Sequence, residues 1–153
     1  MTAAPSAGSF EGRVHHLPVR VYYEDTDFTG LVYHANYARY FERGRSDFLR
    51  LTGVDHASLL DREKPVAFAV TRLVIEFRQP ARIDDALTVR TTFDSLKGAR
   101  IQIAQSLHRG DEALALAEVS VACIGLDGRP RRPPRGLHER IGPYMLGVIA
   151  PPP

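Results

Sequence analysis

The sequence predicts an α+β domain in which one long helix packs on an antiparallel sheet. Three observations carry this. A helical stripe of apolar residues runs from Tyr33 to Leu51, one alternating segment precedes it, and four more follow through short connections.

In chain order, residues 1–13 are small and polar and read as a flexible N-terminal arm. The first strand, VHHLPVRVYY, runs to about Tyr23, with Val19, Val21 and Tyr23 on one face and Pro18 marking a strand start or an edge. The period then changes. Tyr37, Phe41, Gly44, Phe48 and Leu51 recur at spacings of four, three, four and three, while Arg39, Glu42, Arg43, Arg45 and Arg50 fill much of the remaining surface. Gly44 weakens a helix by about 1 kcal/mol relative to alanine, so something must approach the backbone closely there. Gly53 in LTGVD stands in the stop position.

The following segments alternate as strands do. AFAVTRLVIEF places Ala67, Ala69, Thr71, Leu73, Ile75 and Phe77 on one face. Leu87, Val89, Thr91 and Phe93 alternate with polar neighbours, as do Ile101, Ile103, Gln105 and Leu107. LALAEVSVACIG is more continuously apolar, as a central strand would be. The connections SLKGA and HRGDE are short and contain glycine, so these strands are antiparallel hairpin neighbours. The domain is expected over residues 14–135, followed by a C-terminal tail, 136–153, with a short helix near Leu137 to Ile141 and a final run of prolines. One helix cannot cover a five-stranded sheet and its edges, which implies self-association.

Hydrophobic residues make up 44% and charged residues 25%, ordinary for a globular protein. A net charge of +2 does not announce a nucleic-acid partner, and only GRPRRPPRG concentrates positive charge. The lone Cys123 excludes an internal disulfide and a thiolate metal site, and it fits a reducing compartment. The N-terminus lacks the basic and apolar regions of a secretion signal, and no window has the apolar length of a membrane span. A cytoplasmic location is expected.

The chemistry concentrates in YYEDTDFTGLVYHANYARYFE. Asp25, Asp27, Gly30 and Val32 can be laid on a calcium-loop template, but its twelfth position is Asn36 where a bidentate Glu is needed, and its fifth is the weak ligand Thr29. A strand also precedes the loop where a calcium hand needs a helix. His15, His16, His34 and His56 lack the helical pair spacing of a zinc site, so neither metal nor cofactor is expected. The segment fits catalysis at a polarised carbonyl better. A helix starting at Tyr33 or His34 offers unpaired N–H groups and its positive dipole end, and Gly30 lets the backbone approach a ligand. One such donor stabilises developing charge by about 3 kcal/mol in enzymes that use it. A carboxylate just upstream could attack the carbon or activate a water. The simpler reading of either aspartate is a cap or turn residue.

The stretch VRVYYEDTDFTGLVYHANYARYFERGRSDFLR resembles the N-terminal signature of hotdog-fold acyl-CoA thioesterases of the 4-hydroxybenzoyl-CoA thioesterase branch, and within it the bacterial Tol-Pal-associated enzymes. The likeness continues through ARIDDALTVRTTFDSLKG and EALALAEVSVACIGLDGRPRRPP, covering roughly residues 17–134. The resemblance implies a curved antiparallel sheet wrapped around the long helix, with active sites at a dimer interface, in homodimers or homotetramers. It places the catalytic carboxylate on Asp27, the oxyanion N–H on His34 and a site tyrosine on Tyr23. Gly30 and Tyr33 border the substrate, and Phe28 stands where relatives carry a smaller residue. It also matches Lys97 to a nucleotide-binding position, with Arg100 beside it on the same hairpin. The substrate implied is acyl-CoA, or the same acyl group on acyl carrier protein. The hydratases of the same fold carry a His-centred helix signature that is absent here. The competing reading is a non-catalytic acyl-carrier or envelope-machinery adaptor on the same scaffold.

Overall fold

The computed structural model describes residues 3–147. A six-stranded antiparallel sheet forms from β1 (Ser9–Glu11), β2 (Val14–Arg20), β3 (Val66–Phe77), β4 (Ala86–Lys97), β5 (Arg100–Arg109) and β6 (Glu112–Gly125), in the spatial order β1-β2-β4-β5-β6-β3. The helices are α1 (His34–Leu51), α2 (His56–Leu60) and α3 (Arg135–Ile141). The α+β expectation therefore holds, with three helices on the sheet, of which α1 alone exceeds seven residues.

The stripe on α1 faces the sheet as its spacing requires. Tyr37, Tyr40, Phe41 and Phe48 are buried, and the Phe48 and Phe93 rings stack at 4.0 Å. Gly44 explains how the helix lies so close. A β-carbon there would come within 2.7 Å of Val89 Cγ1, 2.9 Å of Thr91 Oγ1 and 3.0 Å of Gln105 Nε2. Gln105 uses this gap to donate to the Phe41 carbonyl at 2.8 Å and to Thr91 Oγ1 at 2.9 Å. Leu51, at the end of the stripe, is exposed.

Four expectations need correction. First, residues 9–11 form β1, although they fall in the expected arm. Phe10 stacks on Tyr144 at 4.1 Å, and Asp47 Oδ2 holds both the Gly8 N–H and the buried His15 ring. Second, the first strand ends at Arg20, and Tyr23 begins a 3-10 turn over Tyr23–Asp25. Third, α2 was not expected; Asp55 caps it by accepting from the Ser58 N–H. Fourth, β3 turns the other face inward over its first half. Its ladder with β6 skips Thr71, an extra residue that forms a bulge. Val66, Phe68 and Val70 lie opposite Gly125, Cys123 and Val121, while Leu73, Ile75 and Phe77 lie opposite Val119, Ala117 and Ala115. The inward set is thus 66, 68 and 70, then 73, 75 and 77, because the bulge shifts the alternation by one.

Helix α3 lies where the tail helix was expected, and Leu137, Ile141 and Met145 are buried in the core. The folded body thus extends beyond 14–135 at both ends. Residues 1–2 of the arm and the proline run of the tail lie outside the described residues. The two sheet edges differ. Strand β1 is three residues long, whereas β3 presents twelve residues, among which Val70, Leu73, Val74 and Phe77 are exposed.

Candidate active site

The segment between β2 and α1 folds on the two aspartates, which take opposite environments. Asp25 is buried. Its Oδ2 accepts the Tyr22 N–H at 2.8 Å, its Oδ1 accepts Asn36 Nδ2 at 2.9 Å, and its carbonyl accepts the Tyr33 N–H at 3.0 Å. One residue thus ties the 3-10 turn to the first turn of α1. The Tyr40 phenol lies against this buried cluster, and burial together with the Asp25 charge pushes it well above its usual range.

Asp27 is fully solvent-exposed, at the start of a tight loop. Its Oδ1 accepts the Thr29 N–H at 2.8 Å and also the Thr29 hydroxyl. The Asp27 N–H donates to the Leu31 carbonyl, and the Gly30 N–H to the Asp27 carbonyl. Gly30 has φ +79°, a left-handed conformation that favours glycine. An isolated bridge between Thr26 and Val32 closes the base of the loop, with Asp27 on its loop side and His34 two residues past Val32, where α1 begins. The Thr29 bonds hold the Asp27 carboxyl below its usual 3.8. It is an ionised acceptor at neutral pH.

Tyr33 is the N-cap of α1 and supplies no side-chain cap, and the first turn carries no acidic residue. The Asn36 N–H donates to the Tyr33 carbonyl, whereas the N–H groups of His34 and Ala35 meet no acceptor among the described residues. An eighteen-residue helix therefore begins with open donors, and the loop that leads into it carries an ionised carboxylate. The arrangement can polarise a carbonyl and present a base or nucleophile to its carbon.

The remaining expected residues divide. Gly30, Tyr33 and His34 sit on this loop and helix start, and the Tyr33 and His34 rings are 4.5 Å apart. Tyr23 is 86% exposed, so it does not share the buried face of Val21 as expected; the 3-10 turn swings it out. Phe28 is wholly exposed at the loop tip. Lys97 and Arg100 pair with each other at the β4–β5 hairpin, at the opposite end of the sheet. The loop contacts the near end, where Leu31 bridges Arg82 and the Val32 N–H donates to the Ala81 carbonyl. Twelve residues of β4 separate the two ends, about 35 Å of extended strand. One chain does not bring its hairpin to its own loop. The basic segment also gathers at the hairpin end, where Arg131 and Arg132 join Arg62 and Lys64 around a cavity of 560 Å³.

Sequence reasoning missed a polar cluster on the flank of α1. Ser46 Oγ donates to Glu42 Oε1 at 2.6 Å and lies 3.1 Å from His56 Nε2. Its only signal was the i, i+4 spacing of Glu42 and Ser46; His56 arrives through α2, which local periodicity did not show.

The chain is 46% identical over 110 residues to the acyl-CoA thioesterase YbgC of Haemophilus influenzae, covering 72% of this chain and 80% of that protein. It is 38% identical over 122 residues to the acyl-CoA thioester hydrolase YbgC of Escherichia coli, covering 78% and 90%. Among solved structures, the probable thioesterase of Bartonella henselae superposes with a TM-score of 0.77 at 43% identity, covering 79% of this chain and 99% of that one. Residues 21–141 match the thioesterase-like superfamily as a whole, and the chain belongs to that superfamily.

Proposed function

We propose that the protein hydrolyses the thioester bond of acyl-CoA, with the carbonyl oxygen docked on the His34 N–H and Asp27 as nucleophile or general base. The observation that carries the reading is an open α1 N-terminus reached through a tight loop that bears an ionised, exposed carboxylate. The acyl-CoA thioester hydrolase activity of the YbgC relatives points the same way. The helix end stabilises charge that develops on the oxygen in the transition state and is absent from the ground state, which is what accelerates the chemical step. Asp25 sets the loop through its three bonds and does not meet the substrate. Gly30 and Tyr33 line the entry, with Tyr23 beside them. The test is thiol release from acyl-CoAs of several chain lengths; absence of release above background across the set overturns the hydrolase reading and favours the adaptor.

The same proposal includes self-association. Strand β3 is a long edge with exposed Val70, Leu73, Val74 and Phe77, and the aromatic rings of Tyr22, Tyr23, Phe28 and Tyr33 stand exposed around the loop. Two copies joined antiparallel through β3 extend the sheet and cover this surface. Pairing also suits the hairpin: Lys97 and Arg100 reach a coenzyme A nucleotide at a loop in another copy, in a dimer or a tetramer. Sedimentation of a concentration-independent monomer overturns this part. Acyl carrier protein as an alternative acyl donor, a cytoplasmic location and a link to the Tol-Pal envelope machinery rest on the sequence resemblance. Among the described residues no helix is long and apolar enough to cross a membrane.

A further inference from the structure

The buried aspartate of the loop sets up an electrostatic conflict at the helix start. The Asp25 side chain accepts Asn36 Nδ2 at 2.9 Å, and its carbonyl accepts the Tyr33 N–H at 3.0 Å. Tyr33 is the N-cap of α1 and Asn36 its third residue, so this carboxylate is tied to the turn that presents the His34 N–H. A substrate oxygen docked on that N–H gains negative charge in the transition state. Two negative charges then share one positive helix end, and away from water like charges at short range oppose each other strongly.

The residue placed to relieve this conflict is Tyr40. It is 0% exposed, and its ring is held on α1 by the edge of the Tyr37 ring at 6.5 Å and the Arg43 guanidinium over its face at 5.9 Å. The phenol is close enough to Asp25 and Asn36 to feel both, yet its oxygen makes no hydrogen bond of ordinary geometry among the described residues. A buried hydroxyl without a partner lowers stability, and phenylalanine fills the same space without that penalty. Burial first, and the Asp25 charge second, keep the phenol protonated, so it is a donor that lacks an acceptor. Asp25 can supply one. A carboxylate has about four lone-pair sites, and the chain occupies only some of them, with the Tyr22 N–H and Asn36 Nδ2.

We propose that Tyr40 is a positioning residue of the hydrolytic site: its hydroxyl closes onto the Asp25 carboxylate as charge develops on the substrate oxygen at the His34 N–H, and so weakens the opposition of that buried carboxylate to the oxygen. The inference rests on the thioesterase reading. The proton stays on the phenol throughout, and no covalent bond forms or breaks at Tyr40 or Asp25. Core packing fixes the ring, so the part that shifts is the 3-10 turn that carries Asp25. Hydrogen bonds to a charged carboxylate are shorter and stronger than neutral ones. A bond that forms fully only in the transition state raises kcat and leaves KM alone.

The test compares Tyr40→Phe with the native protein in single-turnover hydrolysis at saturating acyl-CoA, in KM and in thermal melting. Tyr40→Phe is expected to slow the chemical step about tenfold, a fraction of what loss of a direct oxyanion donor costs. KM should not change, and the melting temperature should be equal or higher. In the Asp25→Asn background the same substitution should slow the step by about twofold or less, because the charge it answers is gone. A native single-turnover rate in Tyr40→Phe overturns the inference, and so does an equal loss with and without the Asp25 charge. A lower melting temperature overturns it as well, since the hydroxyl would then have a partner, such as a buried water, in the resting protein. In each of these cases the native protein still hydrolyses its substrate. A native protein that releases no thiol from any acyl-CoA refutes the thioesterase reading itself, and this inference with it.

Discussion

Two aspartates two residues apart meet different fates, and the difference is testable. Asp27→Asn keeps the shape of the side chain and the Thr29 contacts but removes basicity and nucleophilicity. It is expected to lower kcat by about a hundredfold or more while the protein stays folded, the range for loss of a positioned base. Asp25→Asn places an amide against the donors of Tyr22 and Asn36, and should cost about 1–3 kcal/mol of stability, read by denaturant titration. Loss of turnover in a folded Asp25→Asn protein with an active Asp27→Asn protein would reverse the roles. The pH profile carries the same assignment. The Thr29 bonds lower the Asp27 pKa from the ordinary carboxylate value, so the deprotonated form that the proposed role needs persists to lower pH than in a free carboxylate. The acid limb of kcat/KM should therefore lie at lower pH than a free carboxylate would give, and Thr29→Ala should move it upward. Tyr23 shows why residue environments were only partly legible. Period-two reading carried Val19, Val21 and Tyr23 onto one face, but the Asp25 carboxylate captures the Tyr22 N–H and turns the chain before Tyr23.

At the scale of elements, α1 was legible because its stripe is long and its partners lie in the same sequence pattern. Tyr37, Phe41, Gly44 and Phe48 all face the sheet. Gly44 gives the sharpest prediction. Alanine there gains up to about 1 kcal/mol of helix propensity, but its β-carbon meets the short, branched Val89 side chain at 2.7 Å. Overpacking of this kind costs about 1–3 kcal/mol, so Gly44→Ala should lower the melting temperature, and Gly44→Val should lower it further. A rise would mean that the sheet yields to the helix. The elements that escaped prediction are those held by distant residues. Strand β1 depends on Tyr144 and Asp47, and α2 is five residues long, too short for any periodicity to show. The bulge at Thr71 was equally hidden, since TRLVIEF alternates without interruption and only pairing with β6 displaces one residue.

The whole molecule separates its basic hairpin from its carboxylate loop by the length of the sheet, so substrate binding and bond cleavage can be perturbed separately. If Lys97 holds the nucleotide as proposed, Lys97→Ala removes a contact felt alike by bound substrate and transition state, and should raise KM for acyl-CoA with little change in kcat. An unchanged KM shifts the nucleotide to the cavity at Arg131 and Arg132. The bulge at Thr71 also has a consequence at this scale. Deleting Thr71 leaves Val66, Phe68 and Val70, and then Leu73, Ile75 and Phe77, on the faces they occupy now, and removes only the kink. Eleven residues of straightened, largely apolar edge would then accept one copy after another where the kinked strand suits a single partner. The deletion should show itself as thioflavin-positive fibrils that grow with protein concentration, while freshly prepared protein keeps its core and its fold. One threonine that no ladder uses would in that case be what keeps a dimer from becoming a fibre.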